Sequence, residues 1–117
     1  MKLITFIIVL LCISCSDVVT DHYLTHQDAK NDRLFIRGWL PDILPITSTN
    51  IKTENELDLN SSKGSFNIPV NDIPSFISIL QKKSEQTYIY EHGKSKWVFT
   101  INHELGHVVY SLAKSHS

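Results

Sequence analysis

Residues 87–112 read TYIYEHGKSKWVFTINHELGHVVYSL, and this stretch decides the fold. Aromatic and branched side chains alternate with mostly polar ones from Thr87 to Glu91 and again from Trp97 to Asn102. This is the period-two pattern of strands with one buried face. A third run, His107 to Leu112, is rich in the branched and aromatic residues that favour strands. Because a glycine stands in each of the two gaps, the stretch predicts a three-stranded antiparallel meander.

A helix is predicted just before this meander. Residues 71–72 can cap its start, and Pro74 falls in the first turn, where the missing N–H costs nothing. Four apolar residues follow at the spacing of one helix face: Ile73, Phe76, Ile77 and Leu80. The lysines at 82–83 then fall in the last turn, where they complement the helix dipole.

Two more strands are predicted upstream of the helix. Residues 50–59 and 65–69 flank a polar turn at residues 60–64 and form a hairpin. The resulting element order is ββαβββ. It predicts an α+β domain in which one helix packs on a face of a small antiparallel sheet.

The N-terminal segment, MKLITFIIVLLCISCSD, has the features of a bacterial lipoprotein signal peptide. Its apolar run from Leu3 to Ile13 is shorter than the roughly 20 residues that span a bilayer. Ser14 followed by Cys15 resembles the end of a lipobox, although Cys12 replaces the usual leucine. We therefore predict a signal peptide over residues 1–14 and lipidation of Cys15. An ordinary secretory signal cleaved nearby and an uncleaved anchor are the alternatives.

These features predict a location and a domain layout. Ser16 follows the modified cysteine, which is typical of lipoproteins that are passed on to the outer membrane. We expect a lipid-anchored, periplasm-facing protein of the bacterial cell envelope, with the outer membrane favoured over the inner. Residues 15–33 are polar and predict a lipid-anchored spacer, which leaves residues 34–117 for one small domain. The formal net charge of −1 gives no electrostatic support for nucleic-acid binding.

One motif carries a specific chemistry. His103, Glu104 and His107 match H-E-x-x-H, in which a helix presents both imidazoles to zinc and the glutamate activates a bound water. A third ligand at the expected places is missing, because Tyr110 and Ala113 stand where the longer zinc-protease pattern has Gly and His. The flanking residues also favour strands. A hairpin turn that ends in a left-handed glycine at 106 is therefore predicted, with the zinc site as the alternative.

A second motif points to binding. The segment RGWLPDILP, residues 37–45, places two prolines around a stiff apolar stretch. Arg37 and Trp39 are of the residue types most enriched at interfaces, and with Pro41 they are the predicted binding residues. The alternative is that Trp39 fills the open face of the sheet and Pro41 starts a helical turn.

The RGWLPDILP segment also carries a resemblance. Together with Ser48, Ile51, residues 56–58, Asn60 and residues 64–66, it resembles a family of small exported bacterial proteins of uncharacterised function, many with lipoprotein-type signals. The resemblance covers residues 35–69 best. It implies that these positions shape the fold or a binding surface, and that strands follow the helix. It implies no catalytic residue.

The sequence therefore predicts a membrane-tethered, non-catalytic domain that binds another envelope or exported protein. No cofactor is predicted. The lipid on Cys15 would hold the protein at the membrane, and a surface containing Arg37, Trp39 and Pro41 would dock. A minimal zinc metallopeptidase that uses His103, Glu104 and His107 is the alternative function.

Overall fold

Seven strands form one antiparallel sheet in the computed structural model, which describes residues 18–114. The predicted signal peptide and Cys15 lie outside the described residues. The strands are β1 (Val18–Thr25), β2 (Thr49–Glu56), β3 (Ser61–Asn67), β4 (Gln81–Lys82), β5 (Thr87–His92), β6 (Ser95–Asn102) and β7 (His107–Lys114). The helices are α1 (His26–Asn31) and α2 (Ile73–Ile77), and a 3-10 turn at Val70–Asp72 leads into α2.

Two groups of consecutive strands meet at the centre of this sheet. The spatial order is β1-β2-β3-β7-β6-β5-β4, so β3 pairs with β7 and joins the groups. Gly64 lies opposite Tyr110 in this central pair. A side chain at position 64 would meet the Lys52 carbonyl oxygen at 1.9 Å, so the close approach of β2 and β3 requires glycine here.

The fold class is mainly β, so the predicted α+β class with the order ββαβββ is wrong. The sheet contains β1 and β4 in addition to the five predicted strands. The predicted helix is also much shorter, because the chain tightens after Ile77: the Leu80 N–H donates to the Ile77 carbonyl at 3.0 Å. Of the two lysines predicted in the last helical turn, Lys82 instead pairs with β5 as part of β4, and Lys83 follows that strand.

The predicted apolar face of the helix is confirmed. Ile73 and Phe76 are buried, and Ile77 and Leu80 pack against the core while partly exposed. The core that they cover lies on one face of the sheet. At its centre the rings of Phe66, Phe76 and Phe99 meet edge to face, with centroids 5.4–6.2 Å apart.

The predicted spacer differs from the structure, because residues 18–31 belong to the sheet domain as β1 and α1. Tyr23 is buried on the core face, and Thr25 caps α1 by accepting the Asp28 N–H at 3.1 Å. The domain therefore begins at or before Val18, not at residue 34. Within residues 18–114, no helix is long and apolar enough to cross a membrane.

Two predicted turns are present. Residues 103–106 form the turn between β6 and β7, and Gly106 has the expected left-handed backbone with φ of 72°. Asn102 Oδ1 accepts the backbone N–H groups of Glu104 and Leu105, each at 3.0 Å. The upstream hairpin is also confirmed, but it turns at residues 57–60, ahead of the predicted 60–64.

Candidate functional site

The RGWLPDILP segment crosses the covered face of the sheet as an irregular connection between α1 and β2. Three leucines anchor it in the core: Leu34, Leu40 and Leu44. Arg33 and Gly38 have positive φ values of 64° and 84°, which reverse the chain before and within the segment. The anchored leucines hold the intervening residues in a defined position at the surface.

A groove of about 400 Å³ lies between this segment and the sheet. We call it the aromatic groove. Its lining is mostly apolar and comes from two distant parts of the chain: Phe35, Ile36, Gly38, Pro41, Asp42, Ile43, Tyr90, His92 and Trp97. The side chain of Ile36 stands in it at 75% exposure. A single exposed aliphatic side chain is common on protein surfaces, and Ile36 is of interest because it lies in a mostly apolar groove.

Strands β5 and β6 form the aromatic wall of the groove. Tyr90 lies opposite Trp97 in the β5–β6 pair, and their ring centroids are 6.0 Å apart. The Trp97 indole N–H donates to the backbone carbonyl of Trp39 at 3.0 Å. This hydrogen bond ties the RGWLPDILP segment to the sheet, so both walls of the groove are held in place.

The three predicted binding residues have different environments, and only Pro41 lines the groove. Trp39 is partly buried and packs against the core, with the ammonium of Lys114 at 5.9 Å from its ring centroid. Arg37 folds back on the chain and donates to the Asp32 carbonyl oxygen at 3.0 Å and to its carboxylate at 3.3 Å. Arg37 and Trp39 therefore support the segment that carries the groove.

Asp32 links Arg37 to β1. Its carboxylate accepts the hydroxyl of Tyr23 at 2.5 Å and the guanidinium of Arg37. Burial, together with the hydrogen bond to Asp32, raises the pKa of Tyr23 to about 12. The tyrosine is therefore a neutral donor at physiological pH, and the contact is a fixed structural link between β1 and residues 32–37.

A buried histidine lies beneath the groove wall. The ring of His26 stacks on Phe35 with a centroid distance of 4.9 Å, and its Nε2 atom is buried without a hydrogen-bond partner among residues 18–114. Burial lowers the pKa of His26, Asp42 acts in the opposite direction, and Lys30 lowers it further. The histidine is thus held neutral next to a residue that lines the groove.

The sequence pattern did not identify half of the groove. Tyr90, His92 and Trp97 lie at the ends of predicted strands, where their alternation indicates burial but not a shared surface. Ile36 sits one residue before the motif. The one available signal was that Tyr90 and Trp97 are the apolar residues nearest to the β5–β6 turn on its two sides.

The residues of the zinc alternative do not form a helical ligand pair, because they lie in a turn and at the start of β7. The His103 Nε2 atom is 3.1 Å from the carbonyl oxygen of Glu85, and the His107 Nδ1 atom is 2.7 Å from Asn67 Oδ1. Both imidazoles are thus engaged by different neighbours. Over residues 18–114, no group of three or more His, Cys, Asp or Glu side chains is arranged to hold a metal ion.

Comparison with known proteins adds one finding. Residues 17–67 match the family model of the YbbD head domain. The YbbD head match covers β1, α1, the RGWLPDILP segment, β2 and β3, and it ends with the last residue of β3. It agrees with the predicted resemblance to a small bacterial family of uncharacterised function. No curated protein and no solved structure matches the chain.

Within the groove, the region similar to YbbD head domains supplies one wall. Phe35 to Ile43 lie inside the matched residues, whereas Tyr90, His92 and Trp97 lie outside them. The groove is therefore a joint product of both strand groups.

Proposed function

We propose that this protein is a lipid-anchored envelope protein that binds another envelope or exported protein and performs no catalysis itself. Cys15 carries the lipid in this proposal. The protein faces the periplasm, on the outer rather than the inner membrane. The aromatic groove carries the proposal, because it is an apolar, preformed surface on a domain whose charge gives no support for nucleic-acid binding.

The chemistry of the groove surroundings supports a protein partner. Ile43 lines both the aromatic groove and a neighbouring groove of about 320 Å³. The second groove includes Ile46 and Ile79, which are 83% and 52% exposed. A run of exposed aliphatic side chains around shallow grooves is typical of a protein interface. A small polar ligand would leave most of this apolar surface in water.

The proposed mechanism is noncovalent docking. Leu34, Leu40 and Leu44 hold one wall of the groove, and the Trp97 hydrogen bond to the Trp39 carbonyl holds it against the other. Because both walls are fixed before binding, little conformational entropy is lost when a partner's apolar side chain enters. Anchorage at Cys15 restricts the search for that partner to the membrane surface.

A pull-down from envelopes tests the binding proposal. Full-length tagged protein is crosslinked in the cell, captured, and its partners are identified by mass spectrometry. Ile36→Glu places a charge in the groove without disturbing the core, because the side chain is 75% exposed. We expect one dominant partner with the parent chain and at least a tenfold loss with Ile36→Glu.

Leu105→Glu is the matched control for this experiment. Leu105 is 74% exposed and lies in the β6–β7 turn, at the other end of β6 from Trp97. The control should retain the partner. Equal recovery with Ile36→Glu, or equal loss with both variants, would contradict docking at the aromatic groove.

The anchor has a separate test. Cells are labelled with palmitate, and the protein is followed through membrane and soluble fractions. We expect the parent chain to carry label and to remain with the membrane, and Cys15→Ser to lose both properties. Label or membrane retention in Cys15→Ser would refute lipidation at this residue.

A further inference from the structure

The two edges of the sheet are built differently. Edge strand β4 has only two residues and is followed by the exposed Lys83. Edge strand β1 has eight residues, VVTDHYLT, and contains no proline, glycine or lysine. Natural sheets protect their edges with short strands, charged side chains, proline or bulges, because an unpaired edge presents a row of free N–H and C=O groups. β1 has one of these devices, the charged residue Asp21, and is long and regular, so its edge is less protected than that of β4.

Three apolar side chains of β1 are exposed, Val18 and Leu24 on the open face of the sheet and Val19 on the covered face. Val18, Val19 and Leu24 are 46%, 40% and 63% exposed. Seven of the eight residues pair with β2 in a regular register without a bulge, so the strand is extended along its length. Such an edge is suited to pairing with another extended strand.

We propose that β1 pairs antiparallel with β1 of a second copy of this chain, about a two-fold axis at His22. In this register Thr20 lies opposite Leu24 of the second copy, and Val19 lies opposite Thr25. A two-fold axis perpendicular to the sheet keeps the covered faces of both copies on the same side. The two sheets then form one continuous sheet with no exposed β1 edge.

The side chains disfavour the two registers whose centres lie nearer the start of β1. Paired residues on antiparallel strands must share a face, so the centre of symmetry has to fall on a residue. A centre at Asp21 would place two carboxylates directly opposite each other, which is unfavourable. A centre at Thr20 would place Val19 opposite Asp21. The His22 centre avoids both contacts and uses seven residues of each strand.

A second copy is favoured as the occupant by the position of the anchor, and this step rests on the proposed function. Cys15 lies only three residues before Val18. Lipidation there would hold the β1 edge of every copy close to the same membrane, which raises its effective concentration. With the two-fold axis along the membrane normal, both anchors reach one membrane. The dimer would carry two copies of the aromatic groove, and the wall formed by β5 and β6 lies far from the β1 edge in the strand order.

Disulfide trapping in native envelopes tests the pairing. The full-length His22→Cys chain is exposed to a mild oxidant, and the parent chain gives the background. We expect a disulfide-linked dimer at least fivefold above background, because the two introduced cysteines would be directly opposed. Lys52→Cys is the matched control. Lys52 pairs with His22 on the exposed face, and across the dimer two such cysteines would be about 14 Å apart, too far to bridge.

A mixed experiment fixes the register. Thr20→Cys and Leu24→Cys chains carrying different tags are produced together. The mixed dimer should form, and each chain alone should stay at background. Dimers of His22→Cys at the level of Lys52→Cys, or mixed dimers no more abundant than homotypic ones, would overturn the pairing.

Fractionating the same samples distinguishes a failure of the lipid anchor from a failure of the strand pairing. If the His22→Cys chain is at the membrane and does not form dimers, the pairing is wrong and the anchor stands. If the chain is not at the membrane, the anchor is wrong, and the purified chain is oxidised at about 0.5 mM, a concentration comparable to that of tethered partners. Trapping of His22→Cys but not Lys52→Cys there supports the pairing, and its absence overturns it.

Discussion

The two strand groups stabilise the same sheet by different means. Residues 18–67 contain all five buried polar side chains of the described chain other than tyrosine and tryptophan: His26, Ser48, Thr53, Asn55 and Ser62. Residues 68–114 contribute a core of aliphatic and aromatic side chains. The polar group also coincides with the region similar to YbbD head domains. The first half therefore buries polar side chains beside its apolar ones, whereas the second half contributes only aliphatic and aromatic side chains to the buried set.

The polar half satisfies its buried groups only in part. Ser62 donates to Asn55 Oδ1 at 2.6 Å and lies 2.9 Å from the hydroxyl of Tyr110, which comes from the other half. Thr53 Oγ1 and His26 Nε2 are buried without partners among residues 18–114. Because an unsatisfied buried polar group lowers stability, the polar half should respond to mutation and to pH differently from the apolar half.

The largest expected effect comes from removing the ring at the centre of the apolar core. Phe99 is fully buried and contacts Phe66 and Phe76 edge to face. We expect Phe99→Ala to lower the free energy of unfolding by about 3–5 kcal/mol, measured by urea denaturation with tryptophan fluorescence. Thr100→Ala, on the exposed face of the same strand, should change it by less than about 0.5 kcal/mol. Similar losses for both variants would contradict a core on one face.

Gly106 tests the contact between the β6–β7 turn and the chain that leaves β3. Its carbonyl accepts the Ile68 N–H at 2.8 Å, and a Cβ atom at Gly106 would lie 2.0 Å from the Ile68 carbonyl oxygen. We expect Gly106→Ala to cost about 3 kcal/mol, because it combines a backbone clash with a left-handed φ of 72°. Gly93 has a similar φ of 61° but open space around it. Gly93→Ala should cost about 1–2 kcal/mol in the same denaturation experiment, and equal costs would argue against the clash.

A smaller loss is expected from the polar half. Ser62→Ala leaves Asn55 and the Tyr110 hydroxyl without their shared partner, which should cost about 1–3 kcal/mol in urea unfolding. Thr53→Val is the contrasting variant, because it replaces a buried hydroxyl that has no partner with a methyl group. It should keep or raise stability. A loss for Thr53→Val as large as that for Ser62→Ala would mean that the Thr53 hydroxyl is satisfied.

The direction in which stability changes with pH is a further test of the first half. Burial lowers the pKa of His26 in the folded protein, so the unfolded chain takes up a proton first as the pH falls through about 6.5. The free energy of unfolding should therefore decrease on acidification below about pH 6.5. His26→Leu should reduce this decrease, measured by urea unfolding at about pH 7.5 and about pH 5.5. If His26→Leu leaves the pH dependence of the unfolding free energy unaltered, the buried histidine is not its source.

The difference between buried polar and buried apolar side chains also explains which strands could be predicted from the sequence. Strands β5, β6 and β7 were predictable because Tyr88, Phe99 and Val108 belong to runs of apolar residues on one face. β1 was mistaken for a spacer, since Tyr23 is its one buried side chain. The bounds of the first hairpin were displaced because β3 places Ser62 inward, where apolar residues are expected. Periodicity detects strands only where the buried side chains are apolar.

The candidate site was predictable only in part for a related reason. The RGWLPDILP motif identified a special segment, and Pro41 does line the aromatic groove. The motif could not show that Arg37 would bond to Asp32 or that Trp39 would support the groove from behind. The role of Trp39 depends on a contact with Trp97, which is distant in the chain. The role of Arg37 depends on a turn that brings it back to Asp32.

The sequence by itself determined the local features: the strands of the second half, the buried face of α2, and the left-handed turn at Gly106. Each depends on side-chain periodicity or on backbone preferences within a few residues. Only the tertiary structure decided that β3 pairs with β7, that β1 is a long edge strand, and that Phe35 and Tyr90 share a groove. Strand pairing is made by backbone groups that every residue carries, so the identity of a distant partner strand leaves no local pattern in the sequence.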